Sequence, residues 1–160
     1  MLDEIRHHIA AHREVFHELE TILVESGYDV ISRSIVEDRV DVRTGRGLDA
    51  VDESLDGKKA WNDLLKRAKA FSIEKRGGGY WYLAGTAASG KYSATVEYVH
   101  APLANSKYKA CSPGYRKVAC GECVVQVDEA WWIYYWWYPP DLSEGAYDQC
   151  AREGHVALGD

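Results

Sequence analysis

The run Trp131-Trp132-Ile133-Tyr134-Tyr135-Trp136-Trp137-Tyr138 constrains this chain more than any other feature. Successive side chains of a β-strand point to opposite faces, so Trp131, Ile133, Tyr135 and Trp137 go one way and Trp132, Tyr134, Trp136 and Tyr138 the other. Both faces are apolar and both want cover. Helices and sheet curvature, a second copy of the chain, a small ligand or a protein partner could each supply it. Trp and Tyr bury large areas with few rotors and keep a polar tip, which is why binding energy concentrates on them. Trp131, Trp132, Tyr134, Trp136, Trp137 and Tyr138 are therefore the candidate partner- or ligand-binding residues. Parity alone does not say which face packs on the core. Should the strand be core on both faces, the surface to examine is the loop from Asn105 to Arg116 or the acidic segment from Asp49 to Asp56.

The clearest helical signal lies at the other end of the chain. Leu2, Ile5, Ile9, His12, Phe16, Leu19 and Leu23 follow a 3-4-3-4-3-4 spacing, one stripe of a helix over residues 2 to 25, and Ser26-Gly27 supplies its stop. His12 reads as a core-edge histidine satisfied by one hydrogen bond, and His7, His8 and His17 as surface. Tyr28 to Arg43 turns β-branched and predicts one or two strands. A second helix has Trp61, Leu64, Leu65, Ala68 and Phe71 on its apolar face, is capped by Ser54 or Asp56, and stops before Gly77-Gly78-Gly79. Asp52, Asp56, Gly57 and Asp63 fit some positions of a calcium loop, but Ser54 stands at its third position, Lys59 stands where an apolar residue belongs, and Lys58 would repel the ion.

Only Phe16, Tyr28, Trp61 and Phe71 among the aromatic residues precede Tyr80, so the second half is the sheet. Tyr80 to Thr86 and Lys91 to His100 read as a hairpin around Ala87-Ala88-Ser89-Gly90, with further strands at Val124 to Asp128 and Trp131 to Tyr138. Asn105 to Gly114 reads as loop, and Ala146 to Arg152 as a short helix. The expected fold is α+β in one domain of 160 residues: a helix-rich half over 1–76, a mainly antiparallel sheet over 77–140 that can curve into a cone, and an extension over 141–160.

Three constellations touch chemistry. Gly85-Thr86-Ala87-Ala88-Ser89-Gly90-Lys91 fits G-x-x-x-x-G-K, and Val124-Val125-Gln126-Val127-Asp128 looks like a magnesium-binding strand; together they resemble a P-loop NTPase and imply Gly85, Gly90, Lys91 and Asp128 as nucleotide ligands. The pattern departs at Tyr92, where the metal-binding hydroxyl belongs, and residues 91 to 100 alternate like a strand where a helix should open. Cys120-Gly121-Glu122-Cys123, which Cys111, Cys150, His100 or His155 could complete, is a candidate zinc knuckle. The N-terminus carries no export signal, so reduced, metal-free cysteines are the expectation. Asp128 and Glu129 read as hairpin residues.

A net charge of -6 leaves no general basic face for nucleic acid, and the clusters Lys107, Lys109, Arg116, Lys117 and Arg33, Arg39, Arg43, Arg46 read as solvated charge. The longest apolar run is about half of the roughly 20 residues that span a bilayer. A cytoplasmic, non-enzymatic protein that inhibits or neutralises a protein partner is the leading expectation, with no cofactor. Its profile is similar to that of immunity proteins, whose partners are toxins, and of phage- or plasmid-borne inhibitors. A ligand-binding or catalytic cone with an aromatic pocket is the alternative, and homodimerisation is compatible with either.

Overall fold

The computed structural model describes residues 2–88, 93–101, 108–111 and 121–138. The chain divides into two compact units, Met1–Ala84 and Gly85–Asp160, and the division falls inside a strand.

The N-terminal stripe forms two helices, α1 (Leu2–Ala11) and α2 (Arg13–Ser26). His12 separates them, with φ -121° and ψ 23°. The cause is local. The His12 ring donates from Nδ1 to the His8 carbonyl at 2.9 Å, and the same carbonyl accepts the His12 backbone N–H at 3.1 Å. A side chain that bonds back to the i−4 carbonyl bends a helix at that point. The Phe16 N–H still reaches the His12 carbonyl at 3.1 Å, so the stripe runs on, and Gly27 ends α2 with φ 75°.

Strands β1 (Val30–Arg33), β2 (Val40–Thr44) and β3 (Val51–Leu55) form an antiparallel meander. Helix α3 (Lys59–Arg67) leads back to β4 (Ser72–Arg76), which pairs with the free side of β1, and β5 (Gly79–Ala88) pairs with β4. The order in the first unit is β3-β2-β1-β4-β5. Two expectations are corrected here. The second helix stops at Arg67, and Lys69 turns the chain left-handed with φ 53°, so residues up to Arg76 are free to pair as β4. Its N-cap is Lys58, without a side-chain bond. Ser54 belongs to β3 and donates to Asp41 at 2.5 Å, while Asp56 accepts from Arg39 at 2.9 Å.

Cross-strand register brings Val42, Ile31, Ile73 and Tyr82 into one row on one face. These four side chains are buried together with Phe16, Leu19, Leu23, Leu64 and Leu65 of the helices, which pack on β1, β2 and β4. Each buried aliphatic or Phe side chain contributes about 1.5–3 kcal/mol. The Tyr82 hydroxyl lies 2.8 Å from the buried Glu20 carboxylate and 3.1 Å from the Phe16 carbonyl. Burial, and then the Glu20 charge, push the phenol well above its ordinary pKa. The opposite face carries the polar row Ser54, Asp41, Ser32 and Ser72, continued by Leu83 of β5.

In the second unit the tail of β5 is followed by β6 (Ser93–His100), β7 (Gly121–Gln126) and β8 (Trp131–Tyr138), ordered β5-β6-β8-β7. The expected hairpin strands are present; its turn, residues 89–92, lies outside the described residues, as do the helix expected at 146–152 and most of the loop expected at 105–114. The fold is α+β: among the described residues there are three α-helices and eight antiparallel strands, whose order is open rather than closed on itself.

His8 corrects a further expectation. It is 7% exposed, and its Nε2–H donates to the Ala68 carbonyl at 2.9 Å, tying α1 to the end of α3. Burial lowers its pKa from 6.5; the Ala68 carbonyl offsets part of this, and His12 and Lys69 add to the lowering. Between the ordinary and the folded pKa the unfolded chain holds a proton that the folded chain refuses, so stability falls as pH drops through this window and levels off below it. The melting temperature should be lower at about pH 5.5 than at about pH 7, and His8→Gln, which keeps a donor but does not titrate, should flatten that slope. An unchanged slope in the variant would assign the pH dependence to other groups.

Candidate functional site

The aromatic run sits at the centre of the second unit. β8 pairs with β6 on one side and β7 on the other over nearly its whole length. Trp131 and Trp137 are buried from one face and Tyr134 from the other, while Trp132 and Trp136 are half-buried; the side chain of Tyr138 lies outside the described residues. The polar tips are engaged only in part: among the described residues the buried Trp132 Nε1 has no hydrogen-bond partner. Tyr134 donates to Glu122 and meets the Tyr108 ring edge-on at 5.2 Å between centroids, and Trp131 stacks on His100 at 4.6 Å. Among the described residues the exposed large apolar side chains are Val24, Ile35, Val36, Leu48, Val51 and Phe71, none of them in the run. Exposure therefore moves the candidate surface to the first unit.

Of the nucleotide constellation, Gly85 lies within β5, and residues 93–100 form the strand β6 where the resemblance implies a helix; Gly90 and Lys91 lie outside the described residues. The Asp128 carboxylate accepts the Ala130 and Trp131 N–H groups at 2.9 and 3.0 Å and closes the β7–β8 turn. Among the cysteines, Cys111 and Cys123 form a disulfide, which corrects the expectation of reduced thiols and removes both from the zinc set while the bond lasts. The reason is register: a parallel bridge between Ala110 and Val124 lays Cys111 beside Cys123, a proximity the C-x-x-C spacing does not show. Cys120 and Cys150 lie outside the described residues. Of the calcium-loop acids, Asp52 pairs with Arg43 at 2.7 Å, Asp56 with Arg39 at 2.9 Å and Asp63 with Lys59 at 2.5 Å, so they do not converge. Among the described residues no group of three metal-ligating side chains forms.

What the first unit presents instead is a shaped loop beside a free strand edge. The loop joins β1 to β2 over residues 34–39, and its Ile35 is 102% exposed. Apolar side chains on loose loops are common, but this loop is anchored. Asn62 of α3 is 0% exposed and points its amide nitrogen at the carbonyls of Ser34, Val36 and Glu37, at 3.2, 3.1 and 3.3 Å. The Ser34 hydroxyl accepts the Val36 N–H at 3.1 Å, and the Arg39 N–H reaches the Val36 carbonyl at 3.1 Å. Next to the loop lies the end of β3, joined to it by the Arg39–Asp56 pair and by the Lys58 N–H on the Asp38 carbonyl at 2.7 Å. At the same end of the sheet, Phe71 is half exposed beneath the Arg33 guanidinium, 5.3 Å from its ring centre.

A shallow concavity of about 560 Å³ covers the polar face, lined among others by Ser32, Asp41, Arg43, Asp52, Ser72 and Glu74. Its charges are largely satisfied within the chain, Arg43 by Asp52 and Glu74 by Arg76 at 2.7 Å each. Asn62 is the functional residue that sequence reading missed. The signal was its place one turn before Leu65 on the apolar side of α3. No family model matches the chain, and neither does any curated protein or solved structure.

Replacing Asn62 by alanine removes the donors of three loop carbonyls, and we expect a loss of about 1–2 kcal/mol in urea unfolding. Asn62→Asp should cost more, because a carboxylate turns oxygen toward those carbonyls. A stability within about 0.5 kcal/mol of the parent for both variants would show that the loop does not depend on this anchor.

Proposed function

We propose that the protein acts by binding, covering a protein partner and so inhibiting or neutralising it in the manner of immunity proteins and phage- or plasmid-borne inhibitors. The observation that carries this reading is Ile35, fully exposed on a loop held by a fully buried Asn62. Fixing one residue's backbone costs about 1–2 kcal/mol of conformational entropy, and a loop shaped in advance does not meet that cost on association. An apolar side chain held out in water gains nothing for the fold; its burial in a partner's pocket is what such an arrangement favours. The neighbouring charges are engaged in ion pairs, Arg39 with Asp56 and Lys66 with Glu37, which suits the rim of a protein interface.

The net charge of -6 argues for a protein over a nucleic acid. Among the described residues no helix is long and apolar enough to cross a membrane. A cytoplasmic site of action belongs to this proposal, and the Cys111–Cys123 disulfide weighs against it, since such bonds persist mainly in oxidising compartments.

Purification from the native host should yield one stoichiometric protein partner. Ile35→Asp should leave melting unchanged and weaken that association by about 30-fold or more, the loss typical of a central interface residue. A partner retained at full affinity by the variant, or a bound small molecule in place of a protein, would contradict the reading.

A further inference from the structure

The first unit ends its sheet on β3, which pairs with β2 alone among the described strands. Four of its five residues, Val51 to Ser54, are exposed, Val51 at 63%, and Leu48 just before the strand is 106% exposed. An edge strand offers a row of unpaired N–H and C=O groups to any extended chain that reaches it. Native edges are commonly blocked by lysine, proline, a bulge or a covering element. β3 contains no lysine or proline, and its register with β2 runs unbroken from Val40↔Leu55 to Thr44↔Val51.

Charge decides between occupants. The segment from Asp49 to Asp56 holds Asp49, Asp52, Glu53 and Asp56 and no basic residue. Arg43 and Arg39 neutralise Asp52 and Asp56, which leaves Asp49 and Glu53 as exposed carboxylates along the edge. A second copy pairing symmetrically about the middle of β3 would set Glu53 directly opposite Glu53 of its mate, and like charges facing each other across a strand pair are destabilising. A basic strand would turn the same position into an opposite-charge pair.

We propose that β3 is an addition site for an extended, lysine- or arginine-bearing segment of the partner protein, laid as a further strand along this edge. The proposal rests on the binding function argued above and names its recognition mode. Main-chain hydrogen bonds along β3 hold the segment, Glu53 and Asp49 select its charge, and Val51 and Leu48 contact its apolar side chains. At the Leu55 end the added strand comes up to the loop carrying Ile35 and Val36, so edge and loop form one surface.

The probe is a fluorescein-labelled peptide of eight residues alternating lysine with valine or threonine, beside a matched peptide with glutamate in place of lysine, titrated into the full chain by anisotropy to about 1 mM. The lysine peptide is expected to saturate and to protect β3 amides from hydrogen exchange, and the glutamate peptide to bind at least about fivefold more weakly. Glu53→Lys, a surface change that should leave melting intact, should weaken the lysine peptide by about fivefold or more. A double replacement of the adjacent residues Glu53 and Ser54 by proline should abolish binding, because neighbouring N–H groups of a strand point to opposite edges and one of the two removed faces outward. If that variant does not fold, Glu53→Lys alone decides. No saturation by the lysine peptide, equal binding of both peptides, indifference to Glu53→Lys, or a dimer of the unmodified chain in sedimentation that Glu53→Lys disperses would each overturn the proposal. A native partner lost on Ile35→Asp but indifferent to Glu53→Lys would retain the binding function and reject the edge as its site.

Discussion

The first unit depends on one packing arrangement, the apolar sides of α2 and α3 laid on the row Val42, Ile31, Ile73 and Tyr82. Once that face is covered, strand alternation sends Ser32, Asp41, Ser54 and Ser72 to the other side. The same packing places Asn62 in the interior, where its amide has no water to bond and takes the loop carbonyls instead. The shaped loop is thus a by-product of the core: the helix that completes the hydrophobic layer also supplies the donor that fixes the β1–β2 connection. Exposure of Ile35 follows from where those carbonyls are held.

The second unit answers the demand of its aromatic strand in a different way. A run with no polar face has to lie inside a sheet, and β8 does so, with β6 and β7 on either side. Tyr134 on Glu122 and Trp131 on His100 use bonding and stacking capacity that a binding face would have kept for a ligand. Within that strand Trp131, Tyr134 and Trp137 are buried while Trp132 and Trp136 stay half-buried, and the interaction surface proposed here is made of a few isolated aliphatic side chains of the first unit.

Much of this architecture is legible in the residues. The stripe from Leu2 to Leu23, the stop at Gly27, the strands flanking residues 87–90 and the strand at Trp131 all carry local signals, periodicity or glycine, that tertiary context left in place. What was not legible depends on partners far away in sequence. Ser72-Ile-Glu-Lys-Arg76 has one apolar residue and reads as the end of a helix until Ile73 finds Ile31 and Tyr82. Asp49 to Asp56 reads as acid at a helix start until β2 pairs with it. His8 and Asn62 are polar residues on the margins of apolar stripes, and only the neighbouring Ala68 carbonyl and the β1–β2 loop explain their burial. The disulfide joins residues twelve apart whose closeness comes from a bridge to β7. The binding face was expected on Trp131 to Tyr138, and the acidic segment held in reserve is the one that borders the proposed surface.

The central claim is that the loop bearing Ile35 is ordered before any partner arrives. Backbone ¹⁵N relaxation of the free protein measures this directly. The account predicts order parameters for Ile35 to Arg39 of about 0.85, equal to those of β1 and β2. Values below about 0.6 across the same residues would mean that Asn62 does not hold the loop in solution and that Ile35 is exposed only because it is loose.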